Sequence, residues 1–267
     1  MRDQPVLTQF VLDWLGQSQE PRVLHVFERA CNLINEGDEI VSLVWPELGA
    51  GPFALVLPEK RPFTAIRTDT KVNLADGVFV LGDFNLNYKK AIIWQSRLDW
   101  ESIQQSQTSW PKILPRLQQI LVDDAPMQTA VFQPKINSAQ KELLTGMQTN
   151  NRHKIENGAK QLAGLGQGLT PTGDDFLLGT IIALWTTGYD VAVIDLIVQT
   201  AVPRTTTFSG AWLQAAGRGE LVQSWHDFFA GLEDGGWETA VYKILQIGHS
   251  SGYDALLGFT AVMETGN

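Results

Sequence analysis

Gly164-Leu165-Gly166-Gln167-Gly168-Leu169-Thr170-Pro171-Thr172-Gly173-Asp174-Asp175-Phe176-Leu177-Leu178-Gly179 marks where this chain turns from loop into buried helix. Three alternate glycines free the backbone for φ > 0 and for close approach to a neighbour or a ligand. Pro171 then presets a turn, and Thr172 can cap the helix that follows. From Phe176 to Trp185 nearly every residue is apolar, so this helix is expected to be buried on all faces. That run is about half of the ~20 residues a membrane span needs, so no membrane contact is expected.

Downstream of this point the pattern is wholly helical. The spacing predicts helices over about 173–187, 191–201, 208–216, 220–230, 237–247 and 252–264. Just upstream, Ile155, Ala159 and Leu162 fall on one helical face that Gly164 ends, and Asn137 with Gln140 resembles a helix start. The segment from Asp99 to Val122 is helical in character, with Pro111 and Pro115 expected to start or kink turns rather than lie inside them. Residues 21–95 instead alternate short Val-, Ile- and Phe-rich runs with Gly, Pro, Asn and Asp. Val23–Phe27, Glu39–Trp45, Phe53–Leu57, Phe63–Arg67 and Val78–Leu81 read as strands, and Pro46–Pro52 as a hairpin connection in preference to a substrate loop. The fold class is therefore α+β: a small β-barrel or bent antiparallel sheet over 1–98, then an all-helical unit over 99–267, the two expected to pack firmly.

Composition narrows the partners. The net charge is −9 and no basic run exceeds Lys89-Lys90, which argues against nucleic acid and anionic membrane. A single cysteine, Cys31, allows no internal disulfide and fits a reducing, cytoplasmic setting. Charged residues make up only 18%, below the usual quarter, which fits a homo-oligomer or a subunit of a complex.

The candidate chemistry gathers at helix starts. Free N–H groups there favour anions, so Gly164, Gly166, Gly168, Thr170, Thr172 and Gly173 are candidate ligand contacts. No strand leads into the loop and it has no Walker lysine, so neither nucleotide fingerprint applies. Asp174 and Asp175 oppose a bare phosphate. They could satisfy helix-start amides, hold a divalent cation such as Mg²⁺, or accept N–H groups from a ureido or carbamoyl ligand; the metal question stays open. Thr172–Gly179 recurs 79 residues later as Ser251–Gly258, with five of eight positions identical. Each copy carries a hydroxyl, then an Asp in the first turn, then a Gly in the second. This pattern pairs Asp175 with Asp254 and Thr172 with Ser251, either around a shared space or as two packing motifs. His249 precedes the second copy as a candidate proton carrier. Arg204, before Thr205-Thr206-Thr207, could hold a carboxylate or simply sit on the surface.

Residues 164–179, Arg204–Ser209 with Ala215–Glu220, and Gly248–Gly258 together resemble the AllH-like family, once known only as a domain of unknown function. Phe27–Leu33 and Leu48–Pro52 are similar to its N-terminal half. The resemblance implies a subunit of oxamate carbamoyltransferase in allantoin (purine) degradation, acting with an FdrA-like subunit and one further partner subunit. The implied reaction is oxalurate plus phosphate giving oxamate and carbamoyl phosphate. Read together with the residues themselves, this makes Asp174, Asp175, Asp254 and His249 the catalytic candidates, and the glycine loop, Arg204 and Ser251 the candidate substrate contacts. Two alternatives stand beside it: a non-catalytic assembly or effector-binding subunit, and a Mg²⁺-dependent hydrolase.

Overall fold

The structure is a computed structural model and describes residues 4–106, 108–126 and 133–265. The protein is α+β and divides into two units, Met1–Leu98 with Glu220–Gln223, and Asp99–Gly219 with Ser224–Asn267.

The first unit runs β1 (Val6–Leu7), α1 (Gln9–Gln17), β2 (Arg22–Val26), β3 (Ala30–Ile34), β4 (Ile40–Val44), β5 (Ala54–Val56), β6 (Val72–Ala75), β7 (Val78–Leu81), β8 (Phe84–Asn87) and β9 (Ile92–Ile93). Six strands form one sheet in the order β2-β3-β4-β5-β1-β9, and β6-β7-β8 form a separate antiparallel meander. The first sheet is neither a barrel nor all antiparallel: its outer strands β2 and β9 do not pair, and β4/β5 and β1/β9 run parallel. Pro46–Pro52 is consequently not a hairpin. It opens with a 3-10 turn at Pro46–Leu48 and belongs to a crossover that returns the chain in the same direction. Phe63–Arg67 is not a strand either. Phe63 is buried in the core and its carbonyl accepts the Ile66 N–H, closing a turn. A true hairpin turn lies at Asp76-Gly77, where both residues have positive φ, as a tight two-residue connection requires. Trp14, Leu33, Leu43, Leu55 and Phe79 fill the core of this unit. Glu220–Gln223 belongs to it through backbone bonds, Leu221 N–H to Ser96 O and Gln223 N–H to Ala50 O, each 2.8 Å.

The second unit comprises α2 (Trp100–Gln105), α3 (Trp110–Asp123), α4 (Gln133–Gln148), α5 (Arg152–Leu162), α6 (Thr172–Thr187), α7 (Val191–Ala201), α8 (Thr207–Gly217), α9 (Gln223–Asp234), α10 (Trp237–Leu245) and α11 (Ser251–Thr265). Pro115 lies inside α3, contrary to the expectation. It is the sixth residue, so its missing N–H removes one bond near the helix start, while Leu114, Leu117 and Leu121 still bury the face. Asn137 is interior to α4, where it accepts from the Gln133 side chain one turn earlier, and so is not a cap. Asp190 does cap α7, accepting from the Ala192 N–H at 2.9 Å.

α6 is the central helix. Phe176, Leu177 and Gly179 through Leu184 are buried, while Leu178 and Trp185 are half-buried. Its main neighbour is α11. The backbones touch reciprocally. A Cβ on Gly179 would overlap the Ala255 carbonyl, and one on Gly258 would overlap the Phe176 carbonyl. These contacts exchange under the 79-residue repeat, because 176 and 255 are themselves equivalent positions. Gly173 and Gly252 extend the likeness, each lying against a carbonyl at the end of the preceding helix, Leu162 in α5 and Ile244 in α10. Only a residue without Cβ permits any of these approaches. Among the described residues no helix is long and apolar enough to cross a membrane.

Candidate functional site

The two helix starts that the repeat predicts are brought together. Asp174, Asp175 and Asp254 are 1%, 7% and 3% exposed, a degree of burial carboxylates reach only when something compensates them. What compensates each one differs.

Asp174 is fully engaged. One oxygen accepts the Gly164 N–H at 2.8 Å; the other accepts the Ser209 hydroxyl at 2.8 Å and the Thr205 hydroxyl. Burial raises its pKa, and the bonds from Thr205, Gly164 and Ser209 pull it back. Asp174 thus ties the end of α5, the start of α6 and the start of α8 into one knot. Thr205 and Ser209 complete it. The sequence signal was the hydroxyl-rich run before α8.

Asp175 and Asp254 are different. Each retains one buried oxygen, Oδ2, without a hydrogen-bond partner among the described residues. The hydroxyls around them are exchanged between the copies. Asp175 of α6 is met by Ser251 of α11 and by Thr170, while Asp254 of α11 is met by Thr172 of α6 and by Ser250. Thr170 and Ser251 also bond each other at 2.8 Å. Thr172 is therefore not the cap of α6: it is the first helical residue, follows Pro171 at the cap position, and serves the other helix. Burial is the main cause that pushes Asp254 up to about 6. Burial, then the neighbouring Asp254 and Asp174 charges, hold Asp175 well above the usual carboxylate range. Two buried carboxyls, one of which feels the other's charge, cannot both ionise cheaply, so both are held above the usual carboxylate range.

The glycine loop closes over the start of α6. Gly173 N–H donates to Leu165 O at 2.9 Å, and Asp174 and Asp175 N–H both reach Pro171 O. Gly166, at φ +135°, lies so close that a Cβ would sit 2.6 Å from Thr172 N. Gly164 turns against the Arg204 carbonyl in the same way. The first-turn amides of Gly173, Asp174 and Asp175 are thus taken by the chain itself, and the cradle expected of the glycines is occupied by backbone. Gly168 differs, with positive φ and open space around it.

The remaining candidates stand apart. Arg204 is exposed and donates to the Thr200 carbonyl at 2.5 Å, near the end of α7. His249 is exposed in the turn before α11, beside Tyr253 and Tyr242 on one cavity wall. Among the described residues no group of three or more His, Cys, Asp or Glu side chains is arranged to hold a metal ion.

Two family models match. Residues 6–93 match the AllH family N-terminal domain, and residues 162–263 match oxamate carbamoyltransferase subunit AllH. No solved structure matches the chain.

Proposed function

This chain belongs to the AllH family, and from that premise we propose that it is the subunit of a carbamoyltransferase that contributes the Asp175–Asp254 pair to the transfer of a carbamoyl group between oxalurate and phosphate. The observation that carries the reading is the pair of buried, unpartnered carboxyl oxygens. Two free acceptors match the two N–H groups of a carbamoyl –NH₂ in number and type.

The chemistry needs a proton in motion. A phosphate oxygen attacks the ureido carbonyl carbon of oxalurate, the bond from that carbon to the oxamate nitrogen breaks, and carbamoyl phosphate forms. The departing nitrogen takes up the proton that phosphate gives up. A carboxyl pair held above the usual carboxylate range is suited to carry it, accepting on one side and donating on the other. Thr170 and Ser251 orient Asp175, and Thr172 and Ser250 orient Asp254. Gly168 is the point of the loop with room for a ligand, and the exposed Arg204 guanidinium retains donors for a carboxylate. An FdrA-like subunit and one further subunit complete the assembly in this proposal.

The test is reconstitution. With all three subunits, oxalurate turnover should depend on phosphate and on this chain. Asp175→Asn should assemble normally and lose orders of magnitude in rate. A complex that works equally well without this chain refutes the proposal.

One observation favours a second reading, a non-catalytic assembly or effector-binding subunit: the entrance to α6 is sealed by Leu165 O and Gly166. On that reading Asp175→Asn and Asp254→Asn complexes assemble and turn over at full rate.

A further inference from the structure

The two copies of the repeat differ at the position beside the buried pair. Residue 174 is aspartate in the first copy, whereas its equivalent in the second, residue 253, is tyrosine. Asp175 therefore has a carboxyl as its chain neighbour, and Asp254 has a phenol. Three groups meet Asp174, the Gly164 N–H and the Thr205 and Ser209 hydroxyls, and all three donate to it. Burial favours the neutral form of Asp174, and the three donors offset this, so it is an anion at neutral pH. Tyr253 is buried, and burial with the Asp254 charge raises its phenol above the ordinary value, so it stays neutral. One member of an otherwise exchanged pair thus lies next to a fixed negative charge, and the other does not.

That difference orders the pair. The charges acting on Asp175 are Asp254, across the crossing in α11, and Asp174 on its own helix. Asp254 is set by burial and by the Ser250 and Thr172 hydroxyls. Among the described residues no charged side chain from α2, α3, α4, α5, α7, α8 or α10 acts on either carboxyl. We propose that Asp174 is a positioning residue whose fixed charge makes Asp175 the protonated member of the pair, the acid, and leaves Asp254 the ionised one, the base. The proposal rests on the carbamoyl-transfer reading and assigns its two sides. The Asp254 carboxylate takes the proton of the attacking phosphate oxygen as the O–C bond forms. The Asp175 carboxyl gives its proton to the oxamate nitrogen as the C–N bond breaks. The pair then holds its proton on Asp254, and the Asp174 charge returns it to Asp175 before the next turnover, so the enzyme gains and loses none. Asp174 acts only through Asp175.

Infrared spectroscopy of the full chain reads the order directly, because a protonated carboxyl has a carbonyl stretch that a carboxylate lacks. Wild type, Asp175→Asn, Asp254→Asn, Asp174→Asn and Tyr253→Phe are titrated across neutral pH, and thermal melts confirm which variants fold. The carboxyl band that survives to the highest pH is expected to vanish in Asp175→Asn, to remain in Asp254→Asn, to move to lower pH in Asp174→Asn, and to stay in place in Tyr253→Phe. Loss of that band in Asp254→Asn instead reverses the order and overturns the proposal. A band that does not move in Asp174→Asn overturns it equally. The comparison of Asp175→Asn with Asp254→Asn decides the order even where Asp174→Asn does not fold. In the complex assembled with all partner subunits, the alkaline limb of oxalurate turnover should move to lower pH in Asp174→Asn. A limb that stays put while the rate falls at every pH marks a structural defect and overturns the positioning role. A complex without turnover whose infrared order holds refutes the carbamoyl-transfer reading alone, and a reversed order with turnover intact refutes this inference alone.

Discussion

Asp254→Asn should make this protein more stable as the pH rises, relative to wild type. The folded-state pKa of Asp254 lies at about 6, against 3.8 for a free aspartate. A carboxyl whose pKa is raised by folding contributes fully to stability below its unfolded value and loses that contribution as pH climbs through the folded value. At about 1.4 kcal/mol per pH unit, wild type forfeits about 3 kcal/mol between pH 4 and pH 7.5. Asparagine does not ionise, so the variant forfeits nothing there. Its absolute stability also depends on the Ser250 and Thr172 hydroxyls, so the quantity to read is the change with pH. For a chain of this size about 3 kcal/mol corresponds to roughly 6–12 °C in Tm. Thermal melts of both proteins from pH 4.5 to 8 should show the gap between them widening by that order in the variant's favour. Parallel curves across the range would mean that Asp254 ionises freely, and the buried-pair argument would fall with them.

Gly258→Ala should destabilise by roughly 3 kcal/mol, because its Cβ would enter the Phe176 carbonyl; Gly16→Ala, with nothing within 4 Å in α1, should be neutral or stabilising by up to about 1 kcal/mol. Equal melts for the two variants would refute the close crossing of α6 and α11. Asp174→Asn should cost about 1–3 kcal/mol, since it removes the acceptor that Gly164, Thr205 and Ser209 share, and should lower the Asp175 pKa by removing a neighbouring charge. Cys31 is buried and its thiol is pushed up to about 12, so a thiol reagent at pH 8 should modify the native protein only at the rate at which it opens; rapid modification would place Cys31 at the surface.

The helical half was legible because its signals are local. Asp190, Gly164 and the all-apolar run after Phe176 each act within a turn or two of their own position, and the 79-residue repeat matched equivalent residues before any geometry was known. Strand pairing is not local. Nothing in Ala30–Ile34, with Cys31 and Asn32 at its centre, announces a fully paired strand, and no residue in 45–53 says whether the chain returns parallel or antiparallel. At the site, the sequence allowed Asp174 and Asp175 to satisfy amides of the chain or to meet a ligand, and the structure gives the first role to one of them. The sequence could not say which one, because Asp174 is decided by Thr205 and Ser209, more than thirty residues away. Thr172 was misread as a cap for a similar reason. As a cap its hydroxyl would accept an N–H one turn on, but tertiary packing has it donate to the distant Asp254 carboxyl instead. The glycines were correctly seen as points of close approach, but the partner is the chain's own backbone at Gly164 and Gly166, and sequence spacing cannot distinguish a ligand from a neighbour.

The exchanged contacts of α6 and α11 act as a keyed joint. Sliding either helix by one residue would withdraw Thr172 from Asp254 and Asp175 from Ser251 at once, and would drive Gly179 and Gly258 off the carbonyls they accommodate. Translation is therefore blocked twice over, and the motion left to the pair is a small rotation that treats both carboxyls alike. An asymmetric event, such as a proton settling on one side or a ligand bound to one oxygen, would unbalance the joint and be felt at the far ends of both helices, at Thr187 and Thr265.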